Sequence, residues 1–135
     1  MSIVAIFLDA SYLLTLYNES DIHHKRAVIL AEKIDANEYG QTLTSDDVFD
    51  EVISVALRKL GKEKARTFGK QIFNSILIVH GGKPLFDSAF RIFNASEYNF
   101  SFTDCMSQAI INLAQMQYIA TFDKMFEKLD VEVVH

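Results

Sequence analysis

Six apolar residues near the start of this 135-residue chain, Ile3 to Leu8 (IVAIFL), are followed directly by Asp9. An unbroken apolar run of this length is typical of a central strand in a parallel sheet, because helices cover both faces of such a strand. The run is far shorter than the ~20 residues of a membrane-spanning helix. No lysine or arginine precedes Lys25, so no secretory signal is predicted either. The run therefore predicts a helix-covered sheet whose first strand ends at an aspartate.

The remainder of the chain alternates between helical and strand patterns. Apolar spacing predicts helices over 11–18, 23–36, 46–60, 62–74, 84–98 and 103–114, and strands at 41–44, 76–79, 118–121 and 131–134. Ser45 and Thr103 are the predicted helix caps, Gly61 is a predicted helix end, and Pro84 fits a first helical turn. This order predicts an α/β fold, a three-layer α/β/α sandwich around a parallel sheet of about five strands, in a single domain spanning residues 1–135.

Composition restricts the partners and the compartment. Half of the residues are hydrophobic, which indicates a globular chain, and Cys105 is the only cysteine, which suits a reducing compartment. We therefore predict a cytoplasmic protein that does not enter a membrane. The net charge of −5 argues against a generic binder of nucleic acid.

The positive charge is unevenly distributed, however, because six of the thirteen cationic residues lie between positions 58 and 70. A solvated helix face is one interpretation of this stretch, and a track for nucleic acid is the other. The candidates for contact with nucleic acid are Arg58, Lys62, Lys64 and Arg66.

Four carboxylates from distant segments are predicted to meet at one edge of the sheet. Asp9 and Asp123 follow the first and fourth strands, Asp104 begins a helix, and Glu51 lies in the second turn after the strand at 41–44. The carboxyl ends of parallel strands share an edge, where ligands of such folds bind. Converging carboxylates repel one another, so a cation is needed between them. Oxygen ligands favour Mg²⁺ or Mn²⁺, which acidifies bound water and supports attack on a phosphodiester.

Each of these acids also has a purely structural interpretation. An aspartate at a helix start usually caps that helix, and Glu51 can be a solvated helix residue. Asp46, Asp47 and Asp50 compete with Glu51, although we expect Asp47 to lie outside the metal site. The placement of all four acids together, more than any single one, predicts the site.

Rival enzyme classes need residues that this chain lacks. A haloacid-dehalogenase phosphatase has a second aspartate where this chain has Ser11, and a receiver domain has a phosphoacceptor aspartate where the third strand here meets His80. A P-loop needs Ser or Thr at Pro84, and the histidines lack zinc spacing. We expect His23 and His24 to be exposed at a helix start, Cys105 to be packed in the core, and Phe122 and Phe126 to pack beneath the site.

Four segments resemble the PIN domain family, a compact α/β nuclease fold. They are IFLDAS (6–11), TSDDVFDEV (44–52), FTDCMSQAIINLA (102–114) and ATFDKMFEKL (120–129), in the order of that family. The resemblance implies strand order 3-2-1-4-5 and a Mg²⁺ or Mn²⁺ site. Its implied ligands are Asp9, Glu51, Asp104 and Asp123, with the hydroxyls of Ser11 and Thr121 orienting carboxylates or contacting metal and phosphate.

Small stand-alone PIN proteins of prokaryotes resemble the ribonuclease toxins of VapBC-type toxin–antitoxin pairs. The resemblance implies an endoribonuclease that hydrolyses RNA, forms a homodimer and is inhibited by a small antitoxin. Two alternatives stay open at this point: a housekeeping RNA-processing nuclease of the same fold, and a non-catalytic module that binds protein or RNA. The intact set of acids favours a nuclease over the module.

Overall fold

The structure, a computed structural model, describes residues 4–135. Its elements, in chain order, are β1 (Ala5–Leu8), α1 (Ala10–Tyr17), α2 (His24–Asp35), β2 (Gln41–Ser45), α3 (Asp46–Leu60), α4 (Lys62–Ser75), β3 (Leu77–Val79), α5 (Lys83–Ala95), α6 (Phe102–Ala114), β4 (Tyr118–Ala120), a 3₁₀ helix (Lys124–Lys128) and β5 (Glu132–Val134).

The five strands form one parallel sheet in the order β3-β2-β1-β4-β5. The strand order and the α/β/α class predicted from the sequence are therefore confirmed. In the central register, Phe7 of β1 lies between Leu43 of β2 and Ile119 of β4. The carboxyl ends of all five strands consequently share one edge, and the connections that follow them lie near one another.

The centre of the core is β1, as its apolar sequence predicts. Its four residues are at most 3% exposed, so helices and neighbouring strands cover both faces. Tyr12 of α1 is also fully buried, and its hydroxyl donates a hydrogen bond to the carbonyl of Ala27 in α2 at 2.9 Å. That bond satisfies the phenol away from water and ties the first two helices together.

β1 and β2 approach each other closely at both of their ends. Gly40 has a φ of +79°, and a Cβ there would lie 2.2 Å from the carbonyl oxygen of Val4, so only glycine fits without displacing backbone. The next amide, of Gln41, donates to that same carbonyl at 3.1 Å. At the carboxyl end, the hydroxyl of Thr44 donates to the carbonyl of Leu8 at 2.8 Å. The position of Asp9 is thereby fixed relative to β2.

Several predicted boundaries differ from the observed ones. Ile3 lies outside the described residues, and β1 begins at Ala5. Ser45 belongs to β2 and also caps α3, since its Oγ accepts a hydrogen bond from the amide of Val48. α5 ends at Ala95 and not near residue 98, because the hydroxyl of Ser96 accepts from the amide of Tyr98 and closes a local turn in place of a further helical turn. Within residues 4–135, no helix combines the length and apolarity that crossing a membrane requires.

Candidate functional site

Asp9 lies where β1 ends, and it is only 4% exposed. Its backbone occupies the N-cap position of α1, but its side chain makes no capping hydrogen bond to the residues that the structure describes. Instead, one oxygen, Oδ2, accepts hydrogen bonds from the hydroxyls of Thr121 at 2.7 Å and Ser11 at 3.1 Å. The interpretation of Asp9 as a simple helix cap is therefore wrong.

Ser11 and Thr121 connect the ends of β1 and β4 through their hydroxyls. The two hydroxyl oxygens are 3.0 Å apart, and each also accepts a backbone amide: Ser11 from Phe122 and Thr121 from Asp123, both at 3.0 Å. The backbone repeats this link, since the amide of Asp9 donates to the carbonyl of Ala120 at 3.0 Å. The predicted supporting role of these two hydroxyls has a clear geometric basis, because they orient the carboxylate of Asp9.

Asp104 lies in the first turn of α6, where it completes a capping box. The hydroxyl of Ser101 accepts from the amide of Asp104 at 3.1 Å, and Oδ2 of Asp104 accepts from the amide of Ser101 at 3.0 Å. The cap of α6 is thus Ser101, and the prediction of Thr103 is wrong. Ser101 has an acid three residues later and Thr103 does not, so only Ser101 forms the reciprocal pair. The other oxygen of Asp104 has no hydrogen bond from the described residues.

Asp123 and Glu51 differ in the number of hydrogen bonds that their carboxylates accept. Asp123 caps the 3₁₀ helix, because its Oδ1 accepts from the amide of Met125 at 3.0 Å, and its second oxygen has no hydrogen bond within residues 4–135. Glu51 is half-buried on α3, and its carboxylate has no hydrogen bond from any residue the structure describes. Both therefore keep oxygens available to a ligand.

The acids influence one another electrostatically. Burial, opposed by the Thr121 hydrogen bond and reinforced by the charge of Asp104, raises the pKa of Asp9 from its ordinary 3.8 to about 6. Burial and then the charges of Asp9, Asp104 and Asp50 raise the pKa of Glu51. Burial also raises the pKa of Asp104, against its hydrogen bonds to Ser101 and with a contribution from Asp123. Electrostatic coupling therefore links the four acids that the sequence singles out: Asp9 and Glu51 each to Asp104, and Asp104 to Asp123.

The competing acid Asp47 is not coupled directly to Asp9 or Asp104. Its pKa is raised by burial first and then by Asp46 and Asp50, and neither Asp9 nor Asp104 contributes. Asp46 faces His80, whose Nδ1 lies 3.2 Å from its carboxylate. This separation is consistent with the prediction that Asp47 lies outside the site.

The donor set suits a hard divalent cation. The ion pairs within residues 4–135 join His80 to Asp46 and Lys83 to Asp87, so no cationic side chain neutralises the four acids. In the same part of the chain, no three His, Cys, Asp or Glu side chains converge closely enough to enclose an ion by themselves. Mg²⁺ retains several of its waters and takes only one or two carboxylates directly, so an open arrangement of oxygens fits it. The residues that would hold it are Asp9, Asp104, Asp123 and Glu51.

The prediction that His23 and His24 are exposed is wrong. His23 and His24 are partly buried and not exposed: the ring of His23 stacks on Phe122 with centroids 5.4 Å apart, and Nδ1 of His24 lies 3.1 Å from the carbonyl of Thr15. Phe126 and Cys105 are fully buried, as expected, whereas Phe122 is only partly buried. No local pattern predicts a contact between positions 23 and 122.

The cationic residues of the 58–70 stretch are exposed on α3 and α4. Between these helices lies a groove of about 390 Å³, whose lining includes Phe49, Ile53, Leu57, Lys62, Arg66, Lys70 and Phe73. Arg58, Lys62, Lys64 and Arg66 all project into solvent, and none forms an ion pair within the described residues.

Comparison with known proteins identifies relatives along nearly the whole chain. The family model described as PIN domain matches residues 6–132. Ribonuclease VapC1 of Aquifex aeolicus (strain VF5) is 26% identical over 129 residues, which are 96% of this chain and 88% of the relative. Among solved structures, Mycobacterium tuberculosis VapC20, a Sarcin-Ricin loop cleaving toxin, has a TM-score of 0.79 at 24% identity and covers 93% of this chain and 98% of its own. DNA-bound VapBC from Salmonella typhimurium has a TM-score of 0.73 at 10% identity, with 98% of both chains covered.

The raised pKa of Asp9 predicts a specific dependence of stability on pH. Because this pKa is higher in the folded protein than in the unfolded chain, its contribution to stability is complete below 3.8 and is lost as the pH rises through about 6. At neutral pH, the ionised Asp9 lowers the free energy of unfolding by roughly 3 kcal/mol. In metal-free buffer, Asp9→Asn should therefore raise the free energy of unfolding near neutral pH and raise it much less in mild acid.

Denaturant titrations across this pH range measure the effect. Asn keeps an oxygen that accepts from Thr121 and Ser11, so these hydrogen bonds survive in the variant. Asp130→Asn, at an exposed position, is the control and should shift the free energy little at any pH. A gain for Asp9→Asn that does not change with pH contradicts the raised pKa.

Proposed function

We propose that this chain, which belongs to the PIN domain family, is a Mg²⁺- or Mn²⁺-dependent endoribonuclease that hydrolyses RNA phosphodiester bonds. The observation that carries the proposal is the buried carboxylate of Asp9, which two hydroxyls orient and which is electrostatically coupled to Asp104 and Glu51. Within residues 4–135, none of the four acids forms an ion pair. A non-catalytic module has no need to maintain this electrostatic cost. The similarity to a named ribonuclease along 96% of the chain supports the same conclusion.

The four acids have different roles in the proposal. Asp9 and Asp104 are the principal metal ligands, and Asp123 and Glu51 complete the site directly or through water. A bound divalent ion supplies an acidified water and stabilises charge on the phosphate. The chain itself supplies the position of the acids: Thr121 and Ser11 fix Asp9, and the capping box fixes Asp104. None of these side chains is proposed to form a covalent intermediate.

The proposed biological setting is a type II toxin–antitoxin pair. The solved structures that resemble this chain include VapBC assemblies from Salmonella typhimurium and Rickettsia felis, the second bound to a DNA fragment from its promoter. By analogy, we propose a small antitoxin partner, a homodimer and a cytoplasmic location for this chain as a single nuclease domain. A housekeeping RNA-processing nuclease is the second candidate, since the same acids and the same sheet serve either role.

Cleavage of single-stranded RNA by substituted proteins tests the roles of the acids. Asp9→Asn and Asp104→Asn keep the side-chain shape but each removes a ligand charge, so cleavage should fall at least about a hundredfold while the protein stays folded. Asp47→Asn is the matched control and should leave the rate unchanged, because Asp47 is coupled to Asp46 and Asp50 and not to the principal ligands Asp9 and Asp104. Full activity of Asp9→Asn in the presence of EDTA contradicts the proposal.

The products report the nucleophile. If water attacks, the products carry a 5′-phosphate and a 3′-hydroxyl, and a single 2′-deoxy substitution at the cleaved position is tolerated. Mass spectrometry of the products distinguishes this result from attack by the ribose hydroxyl. Loss of cleavage on the 2′-deoxy substrate means that the ribose is the nucleophile and that the acids need another explanation.

The 58–70 stretch is proposed to contact the RNA backbone outside the site. Reversing the charges of Lys62, Lys64 and Arg66 together should weaken RNA binding and reduce the slope of log affinity against log salt by about 0.7 for each lost phosphate contact. A control triple variant at exposed cations elsewhere, Lys33, Arg91 and Lys128, should keep the original slope. If the slope of the test variant is also unchanged, the stretch is a protein contact or a solvated face.

A further inference from the structure

A second pocket, of about 280 Å³, adjoins the acidic site. It shares Thr121 and Asp123 with the site, so the two are continuous. The other lining residues come from the start of α2, the segment after β4, the 3₁₀ helix and the end of β5: His23, Arg26, Phe122, Lys124, Glu127, Val133 and His135. None of the predictions from the sequence assigned a function to Arg26 or Lys124.

The ring of Phe122 organises this pocket. His23 stacks on it with centroids 5.4 Å apart and an angle of 11°, and Tyr12 is stacked at 6.3 Å. The guanidinium carbon of Arg26 lies 5.6 Å from the centre of the same ring, and one nitrogen of Arg26 contacts Nδ1 of His135. Because these side chains already pack against the ring, a nucleotide base that stacks on it would compete with them. The same contacts hold the guanidinium in place, which lowers the entropy cost of binding an anion there.

The pocket also has cationic groups without an acidic partner among the described residues. Arg26 and Lys124 are exposed, and neither forms an ion pair within residues 4–135. A guanidinium presents several N–H donors in a plane and suits a phosphate, and an ammonium acts as a second point charge. The opposing charges in the lining are Asp123, which belongs to the proposed metal site, and Glu127.

We propose that this pocket binds the RNA backbone phosphate next to the one that is cut, and that Arg26 and Lys124 contact this phosphate. The inference rests on the proposed nuclease function. It adds the side of the acidic site on which the RNA strand continues beyond the phosphate that is cut. The positive charge of Arg26 and Lys124 favours a phosphate in this pocket, and the side chains already packed against Phe122 disfavour a stacked base. The volume, below the ~300 Å³ at which pockets for larger ligands begin, fits one small group.

Equilibrium binding of a short fluorescein-labelled single-stranded RNA in EDTA tests the pocket without cleavage. Arg26→Gln and Lys124→Gln should each weaken binding by about three- to tenfold at low salt and reduce the salt slope by about 0.7. Lys25→Gln and Lys128→Gln are the matched controls, since each is an exposed neighbour on the same element outside the pocket, and both should bind as the unmodified protein does. Unchanged affinity and slope for both pocket variants overturn the proposal.

A variant that is expected to bind RNA more tightly distinguishes loss of the phosphate site from a general loss of structure. Glu127→Gln removes the opposing carboxylate, so RNA should bind more tightly, whereas the exposed Glu132→Gln, away from the pocket, should change nothing. Weaker binding by Glu127→Gln contradicts a phosphate site. Thermal melts confirm that each variant is folded.

Cleavage kinetics separate this inference from the nuclease function. A phosphate held equally in substrate and transition state lowers KM alone, so Arg26→Gln should raise KM and leave kcat nearly unchanged, whereas Asp104→Asn should lower kcat. If RNA is cleaved but KM and salt slope are unaffected by the pocket variants, the pocket is wrong and the nuclease stands. If the slope changes as expected but no RNA is cleaved, the pocket stands as an RNA site and the nuclease function fails.

Discussion

The burial of one negative charge at the end of the central strand governs the rest of this structure. Asp9 is 4% exposed, directly after four residues that are almost completely inaccessible. Two hydroxyls from different segments, Ser11 and Thr121, donate to the same carboxylate oxygen and offset part of the cost. They do not cancel it, since the pKa of Asp9 is still raised to about 6. A bound metal cation would neutralise this buried charge and offset the remaining cost.

The fold and the site depend on each other through the same few contacts. Because β4 lies beside β1, the hydroxyl of Thr121 is within hydrogen-bond distance of Asp9. The close approach of β2 to β1 fixes the start of α3 and thereby the position of Glu51. Structural and functional interpretations of the acids are also compatible with each other. Asp104 and Asp123 each accept a hydrogen bond with one oxygen at the start of a helix, and the other oxygen has no hydrogen bond from the described residues. A cap made by a carboxylate fixes the position of its second oxygen, which is what a metal ligand requires.

Much of this arrangement was predictable because it depends on strand order. The apolar run ending at Asp9 predicted a central strand, and the alternation of helices and strands predicted the shared edge where the acids lie. The spacing of Ser101 and Asp104 is also that of a capping box, so the cap of α6 is predictable from the sequence, although the prediction places it at Thr103. The stacking of His23 on Phe122 was not predictable, because it joins residues 99 positions apart through side-chain packing. The pocket beside the acids was missed for the same reason.

The central claim is that Asp9, Glu51, Asp104 and Asp123 together form a cation site, and calorimetric titration with Mn²⁺ tests it most directly. The unmodified protein should bind Mn²⁺ near neutral pH and should melt at a higher temperature in its presence, since a ligand that binds only the folded state stabilises it. Asp104→Asn should bind Mn²⁺ much more weakly, and Asp47→Asn should bind it as the unmodified protein does. Absence of binding heat, together with an unchanged melting temperature at saturating metal, would contradict the account.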